Sequence, residues 1–333
     1  GFDPTYSIGG IMNHLVSPVR MGGGDFFIAE ADESDQSFLY LNPRYAIVTN
    51  IDHDHLNNYS NNYSELLQAF VEFLNRLPPD GVAFLNVDDV GVQQIMSQLT
   101  CNVVMFSVDS TADFKVSDIL TEAMRSTFTC TLKGGDSFSM SLPVPGKHNV
   151  SNAAGCLSLL ATLGLTVEHM QSAFASFSGV GRRFSYHGEL DVTGGNVIFV
   201  EDYGHHPRAI DVTINAVRSA WPERRLVMVF EPHRFSRTQE CWHDFVEVLA
   251  RVDVLLLLDI FAANEEPIVG VSGEALAHDI LAIAKNEPVF FPEKSDLLLA
   301  LPSIIAAGDI ILFQGAGYFG YQIPRAKQAI LQG

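Results

Sequence analysis

The sequence predicts an α/β fold built as two mainly parallel sheet domains in series. Short β-rich apolar runs alternate with longer helical patterns along nearly the whole chain, the pattern of a parallel sheet covered by helices. The length of 333 residues is enough for two cores of ordinary size. A glycine-marked break, Ser178-Gly-Val-Gly-Arg-Arg-Phe184, is followed by a fresh round of alternation.

In the first half, residues 26–29, 46–49, 82–85 and 103–106 read as strands, and residues 64–77 as a helix stopped by Pro78-Pro79. Residues 128–132 and 137–142 alternate with period two about Gly134-Gly135, as an antiparallel hairpin does. Residues 149–163 and 167–177 read as two helices separated by Gly164. The break then divides the chain into a first domain, residues 1–181, and a second, residues 182–333. Strands of the second domain fall near residues 197–200, 226–230, 254–258, 289–291 and 310–313, with helices between them, the clearest at 209–220 and 241–250.

Composition narrows the function. Hydrophobic residues make up 47% and charged residues 18%, a globular balance. The longest apolar stretches, such as residues 252–260, are broken by Asp253 and Asp259 and fall far short of the roughly 20 residues of a membrane span. With no charged-then-apolar leader in these residues, the chain is expected to be soluble, cytoplasmic and without a membrane partner. Cys101, Cys130, Cys156 and Cys241 lack paired spacing, so they read as reduced thiols, with Cys156 expected in the core. A net charge of −19 excludes a nucleic-acid groove. Small anionic ligands stay open, because Arg182-Arg183, His205-His206 and His233-Arg234-x-x-Arg237 stand out against the acidic background.

The candidate chemistry gathers at strand ends, where open α/β sheets bind ligands. Ala29-Glu-Ala-Asp-Glu-Ser-Asp35 places four carboxylates after one strand, and Thr49-Asn-Ile-Asp-His-Asp-His55 follows the next. Oxygen donors with an occasional imidazole suit Mg²⁺ or Mn²⁺ among phosphates better than zinc, although a solvated acidic loop would read the same way. Pro145-Gly-Lys-His contains Gly-Lys but is no phosphate loop, since Ser141 and His148 occupy the positions that need Gly and Ser or Thr. Asn149 and Asn152 share one helix face and can meet an adenine edge; capping of the helix by Asn149 is the alternative, and the two roles can coexist.

In the second domain, Val200-Glu-Asp-Tyr-Gly-His-His-Pro207 runs from a strand through a turn to a proline suited to the first helical position. Phe230-Glu-Pro-His-Arg-Phe-Ser-Arg237 leaves another strand with two guanidinium forks, which match carboxylates and phosphates. Gln314-Gly-Ala-Gly317 lacks the third glycine of a dinucleotide loop.

Read together and in order, GGDFFIAEADESD, TNIDHDH, LPVPGKHNVSNAAG, GVGRRF, VEDYGHHP and EPHRFSRT closely resemble the Mur ligase family. Within it they look most like the branch that joins L-alanine to UDP-N-acetylmuramate. The resemblance runs from Gly1 to about Gly317 and implies an ATPase-type central domain followed by a Rossmann-like C-terminal domain. The family's N-terminal UDP-sugar domain and its Gly-rich phosphate loop have no counterpart in these residues, so the chain by itself is expected to lack ligase activity.

The reaction that the resemblance implies is peptidoglycan-building amide synthesis in a bacterial cytoplasm. ATP phosphorylates the muramate carboxylate, the amine of L-alanine attacks the acyl phosphate, and phosphate leaves. By motif match, Glu30 and His55 hold Mg²⁺ (or Mn²⁺), with Asp32, Glu33 and Asp54 around them. Asn149 and Asn152 face adenine, and Arg183 and Asp202 reach the nucleotide. Tyr203, His205, His233, Arg234 and Arg237 surround the muramate carboxylate and the incoming alanine, with the last four as catalytic candidates. Other branches carry a carbamylated lysine in the helix after the metal-site histidine. Residues 64–77 contain no lysine, as in the alanine-adding branch. The family's murein tripeptide ligase is the nearest alternative, and HRFSRT argues against it. A non-catalytic nucleotide- or sugar-binding remnant is the alternative from another class.

Overall fold

The computed structural model describes residues 2–10, 12–13, 17–317 and 320–332. The chain divides into two compact units, Gly1–Ser178 and Gly179–Gly333.

Unit 1 opens with a small sheet of β1 (Thr5–Ser7), β2 (Val19–Arg20) and β3 (Phe27–Ala29), in the order β2-β1-β3. Its main sheet holds β4 (Tyr45–Val48), β5 (Val82–Asn86), β6 (Asn102–Ser107), β7 (Phe114–Glu122), β8 (Arg125–Leu132) and β9 (Ser137–Leu142) in sequence order. The pairs from β4 to β7 are parallel, and β7-β8-β9 is an antiparallel meander. The helices are α1 (Tyr63–Asn75), α2 (Val90–Ile95), α3 (Lys147–Thr162) and α4 (Val167–Ala175).

Local chemistry explains the boundaries. The Asn62 side chain accepts from Ser64 N and caps α1, and the double proline follows its end. Leu66 and Leu74 of α1 join Ala83 and Leu85 in one core, while Phe84, Phe106, Val150, Ala154 and Leu157 join in another. Helix α3 can lie this close to the sheet because residue 155 is glycine: a Cβ there would stand 2.8 Å from Ile47 Cγ2 and 3.0 Å from the Phe106 ring. Two sequence expectations change. The strand at 26–29 pairs with β1, outside the main sheet, so it and β4 are not neighbours in one sheet. Strand β7 was hidden because its register shifts between Ser117 and Leu120, with Asp118 in a left-handed conformation, which breaks the period of two.

Cys156, expected in the core, is exposed. It lies on the α3 stripe that carries Asn152, whereas Ala153, Ala154 and Leu157 take the buried face. Cys130 is the core thiol, and burial pushes it up to about 12.

The turn after β5 is fastened by Asp88, whose carboxylate accepts from Ser107 Oγ (2.7 Å), Val108 N (2.7 Å), Asp109 N (3.0 Å) and Ser110 N (2.9 Å). Burial works to raise this carboxyl, but the donors outweigh it and hold it at about 2, against an ordinary 3.8. A depressed carboxyl stabilises the fold above its unfolded pKa and loses that contribution as pH falls through its folded one. Asp88→Asn is therefore expected to cost unit 1 about 1.5–3 kcal/mol near pH 7, the range for hydrogen bonds to a charged group, and less as pH drops from 4 toward 2. Urea unfolding of both proteins at pH 7 and pH 2.5 checks this; a gap independent of pH would contradict it.

Unit 2 is a six-stranded sheet of β10 (Ser185–Val192), β11 (Gly195–Asp202), β12 (Leu226–Phe230), β13 (Val254–Leu258), β14 (Val289–Phe291) and β15 (Ile310–Gln314), in the order β10-β11-β15-β12-β13-β14. All neighbours are parallel except β10 and β11. Helices α5 (Pro207–Ala220), α6 (Phe235–Glu240), α7 (Trp242–Leu249), α8 (Gly273–Leu281), α9 (Lys294–Ile304) and α10 (Ile323–Gln332) connect and cover it. Strands β12 and β15 are buried along their whole length. Because β15 returns between β11 and β12, the strand order reverses there, and the carboxyl ends of strands at such a reversal are where open α/β sheets bind ligands. No helix among the described residues is long and apolar enough to cross a membrane.

Candidate active site

In unit 2, Asp202, Phe230 and Gln314 end the three strands at the reversal, and Phe230 pairs with Gln314. Helix α5 starts just beyond Asp202, with His206 as its cap, accepting from Arg208 N, and Pro207 at its first position. The short turn between them holds Tyr203 and His205 over the strand ends. His205 Nδ1 lies 3.1 Å from Tyr203 O. Its ring meets that of Tyr203 edge-on at 5.1 Å and that of His233 at 5.4 Å. His233 in turn stacks on Phe261 at 5.5 Å. The result is a row of four rings, Tyr203–His205–His233–Phe261, of which the sequence pointed to the first three.

His233 is held below its ordinary pKa of 6.5 by burial first, then by the charges of Arg234 and Arg237, against an opposing pull from Glu265. Arg234 takes a left-handed conformation, φ 72°, as its N–H donates to Phe261 O at 2.9 Å. Arg237 lies half-buried in α6, whose Ser236 is tied through N and Oγ to Glu265 at 3.0 and 2.7 Å. His55, Arg182, Phe184 and Arg234 all hold positive φ. Backbone strain of this kind persists where surrounding structure imposes it, commonly at functional sites.

Asp202 was expected to reach a nucleotide, yet it is 7% exposed and its oxygens accept from Phe184 N, Gly204 N, Thr213 Oγ1 and Gln314 Nε2. Four donors fill the capacity of a carboxylate, so in this structure Asp202 organises the turn from within. Arg183 is exposed, its guanidinium 5.1 Å from the centre of the Tyr203 ring.

Several residues of this region were not singled out from sequence. Glu231 is 3% exposed, and burial raises its carboxyl although Lys294 Nζ stands 2.6 Å from Oε1. Among the described residues, Glu231 Oε2, His233 Nδ1 and Gln314 Oε1 are buried side-chain atoms without a hydrogen-bond partner. Orphans of this kind are costly and mark places where a ligand or water completes the bonding. All three lie at the carboxyl ends of β12 and β15. The signal available in sequence was the Gln314-Gly-Ala-Gly317 run, dismissed for its missing third glycine.

In unit 1, Glu30 is exposed just beyond β3, and its Oε2 accepts from Gly9 N at 2.5 Å. His55 has φ 56°, its Nδ1 lies 3.1 Å from Glu33 Oε1, and its Nε2 lies 3.8 Å from Asp54 Oδ1. Among the described residues no group of three or more His, Cys, Asp or Glu is gathered to hold a metal ion, and Glu30 and His55 are not brought into one. The donor chemistry nevertheless fits a hard divalent cation, since the Glu33 carboxylate orients the imidazole from Nδ1 and an Asp54 oxygen lies beside Nε2. On α3, the Asn149 amide donates to Pro145 O at 2.7 Å, while Asn152 is exposed.

Residues 11–160 match the Mur ligase middle domain, and residues 182–317 match the Mur ligase, glutamate ligase domain. Among solved structures, UDP-N-acetylmuramate-alanine ligase from Thermotoga maritima is 24% identical, with a TM-score of 0.78 over 99% of this chain and 69% of that one. MurF ligase from the same organism, in complex with ADP, is 17% identical, with a TM-score of 0.72 over 99% and 73%. A murein peptide ligase from Psychrobacter arcticus is 19% identical, with a TM-score of 0.65 over 98% and 72%. At these identities the likeness establishes the shared fold, and the two domain matches, which together take in most of the chain, establish the class: ATP-dependent amide ligases. The chain belongs to the Mur ligase family, whose members build peptidoglycan.

Proposed function

We propose that these two domains form part of a ligase that joins L-alanine to UDP-N-acetylmuramate at the expense of ATP. The observation that carries this reading is the row Tyr203–His205–His233 at the strand reversal, with Arg234 and Arg237 charges bearing on His233. Imidazoles and guanidiniums gathered at one strand edge suit a substrate carboxylate and an amino acid that offers little beyond its own carboxylate, its amine and one methyl.

In the proposed reaction a muramate carboxylate oxygen attacks the γ-phosphorus of ATP and ADP leaves. The free amine of L-alanine then attacks the acyl carbon, the C–O bond to phosphate breaks with its electron pair, and the nitrogen releases a proton. No side-chain nucleophile is required, so the protein's work is positioning and neutralisation of phosphate charge. Glu30 and His55 would hold Mg²⁺ or Mn²⁺, which supplies part of that neutralisation when bound. Asn149 and Asn152 face adenine, the Asn149 amide also donating to Pro145 O just before the helix, and Arg183 reaches the nucleotide. Asp202 acts indirectly, by fixing the turn that carries Tyr203 and His205.

The test is phosphate release by the ligase with ATP, UDP-N-acetylmuramate and, in separate assays, L-alanine or a preformed murein tripeptide. L-alanine is expected to be the amine used. Preference for the tripeptide would move the protein to the recycling branch of the family, and no release with either would leave a binding role.

A further inference from the structure

Arg182 sits in the turn that opens unit 2, beside the arginine expected to meet the nucleotide, and does something different. Its Nε bonds Glu201 Oε1 at 3.0 Å, and one terminal nitrogen donates to both Gly315 O (2.9 Å) and Gly317 O (2.6 Å). Its guanidinium lies 4.7 Å from the centre of the Tyr203 ring, and its own carbonyl accepts from Tyr203 N at 2.6 Å. The backbone takes φ 62° to allow this, a conformation that costs a non-glycine residue on the order of 1–3 kcal/mol. Glu201 is 6% exposed, and its other oxygen lies 2.9 Å from His187 Nε2, so the counter-ion is itself fixed.

One planar side chain thus ties three segments: the opening turn, the end of β11 with Tyr203, and the loop after β15. That loop touches the rest of the candidate site. Gly315 N donates to Asp202 O. Gly317 packs so tightly on Glu231 that a Cβ would stand 2.3 Å from Oε2, with the Phe261 ring at 3.9 Å. Displacing the loop would therefore disturb both ends of the ring row, Tyr203 at one and Phe261 at the other. Lysine can keep the charge opposite Glu201 but has no fork to span two carbonyls and an aromatic face.

We propose that Arg182 is a positioning residue that pins the 315–317 loop to the end of β11 and fixes the plane of Tyr203. In this role it rests on the reading of Tyr203 as part of the amino-acid pocket. The side chain touches no substrate and acts through Tyr203 and the loop.

Two measurements on Arg182→Lys and Arg182→Met test this. The first is amide hydrogen exchange in the 333-residue chain, where both Arg182 variants are expected to exchange at least ~10-fold faster at Tyr203 and Gly315 while β12 and β13 keep their protection. The second is steady-state kinetics of the ligase, where Arg182→Lys is expected to raise the KM for the amino acid ~10-fold, as misplacement of a binding group does, with the KM for ATP unchanged. Unchanged exchange in both variants, or equal acceleration in β12 and β13, would overturn the proposal. So would local loosening without a change in the amino-acid KM, since the clamp would then be structural only. If the unaltered ligase shows no amino-acid-dependent phosphate release, the functional reading itself fails, and the exchange measurement alone judges the clamp.

Discussion

Glu30→Ala and His55→Ala are each expected to lower kcat of the ligase at least ~100-fold, the order found when one preorganised electrostatic contact to a reacting centre is removed. Developing charge at a transferring phosphoryl group must be balanced by fixed charge, which in the proposed reaction these two residues would supply through the cation they hold. The structure makes the effect separable from folding. Glu30 is exposed, and its carboxylate accepts from the Gly9 amide. The His55 side chain is 38% exposed. Neither truncation leaves a buried charge stranded, so thermal stability should move little while activity collapses. His55 has a second role to separate, because Glu33 lies against its Nδ1. Glu33→Gln should therefore reproduce a smaller part of the His55 loss, about 10-fold, as outer partners of metal ligands do. Raising Mg²⁺ should recover part of the activity of the Glu30 variant. Wild-type kcat in both alanine variants at modest Mg²⁺ would return the two residues to ordinary loop positions.

What the sequence disclosed and what it withheld divide along physical lines. Patterns set by the immediate neighbours of a residue were legible. Strands β12, β13 and β14 fall where alternating or fully apolar runs placed them, because their burial is written into consecutive residues. The hairpin about Gly134 and Gly135 was legible for the same reason. Features that depend on distant partners were not. The segment 27–29 looks like any short strand, and only its pairing with residues 5–7 puts it in a separate sheet. The helix expected at 241–250 is α7, but the short α6 before it was not read from sequence; Cys241, with φ −102° and ψ 20°, separates the two.

The candidate site shows the same limit. Runs such as VEDYGHHP and EPHRFSRT announced their histidines and arginines, yet inward-facing charges are invisible to local pattern. Nothing next to Glu231 in sequence reveals that Lys294 stands against it. Arg182 and Arg183 are adjacent and chemically identical, but one is spent on Glu201 and two loop carbonyls while the other is exposed. The difference comes from strand order, which brings β15 beside β11. The same order brings Gln314 to Asp202, a contact that local sequence could not announce.

Arg237→Lys is expected to raise the KM for L-alanine roughly 10- to 150-fold, with the KM for ATP nearly unchanged. L-alanine presents few groups to grip, so its carboxylate must be the principal one, and an arginine fork binds a carboxylate with two charge-assisted bonds. Two arginines leave this strand end, and their surroundings differ. Burial works to raise the Glu265 carboxyl, but Ser236 donors and the charge of Arg234 outweigh it and hold it low. Glu265 is therefore an answering charge for Arg234, whose backbone is also committed to Phe261 O. Arg237 sits one helical turn further on, half-buried, with its charge felt at His233, and is the better match for a second, separate carboxylate. Lysine at this position preserves the charge and loses the planar pair of donors. The stake is about 1.5–3 kcal/mol, the worth of a hydrogen bond to a charged group, and that range sets the expected change in KM. Varying each substrate in turn decides the matter. A shift in the ATP KM instead would make Arg237 a phosphate ligand and move the amino-acid pocket toward Arg234.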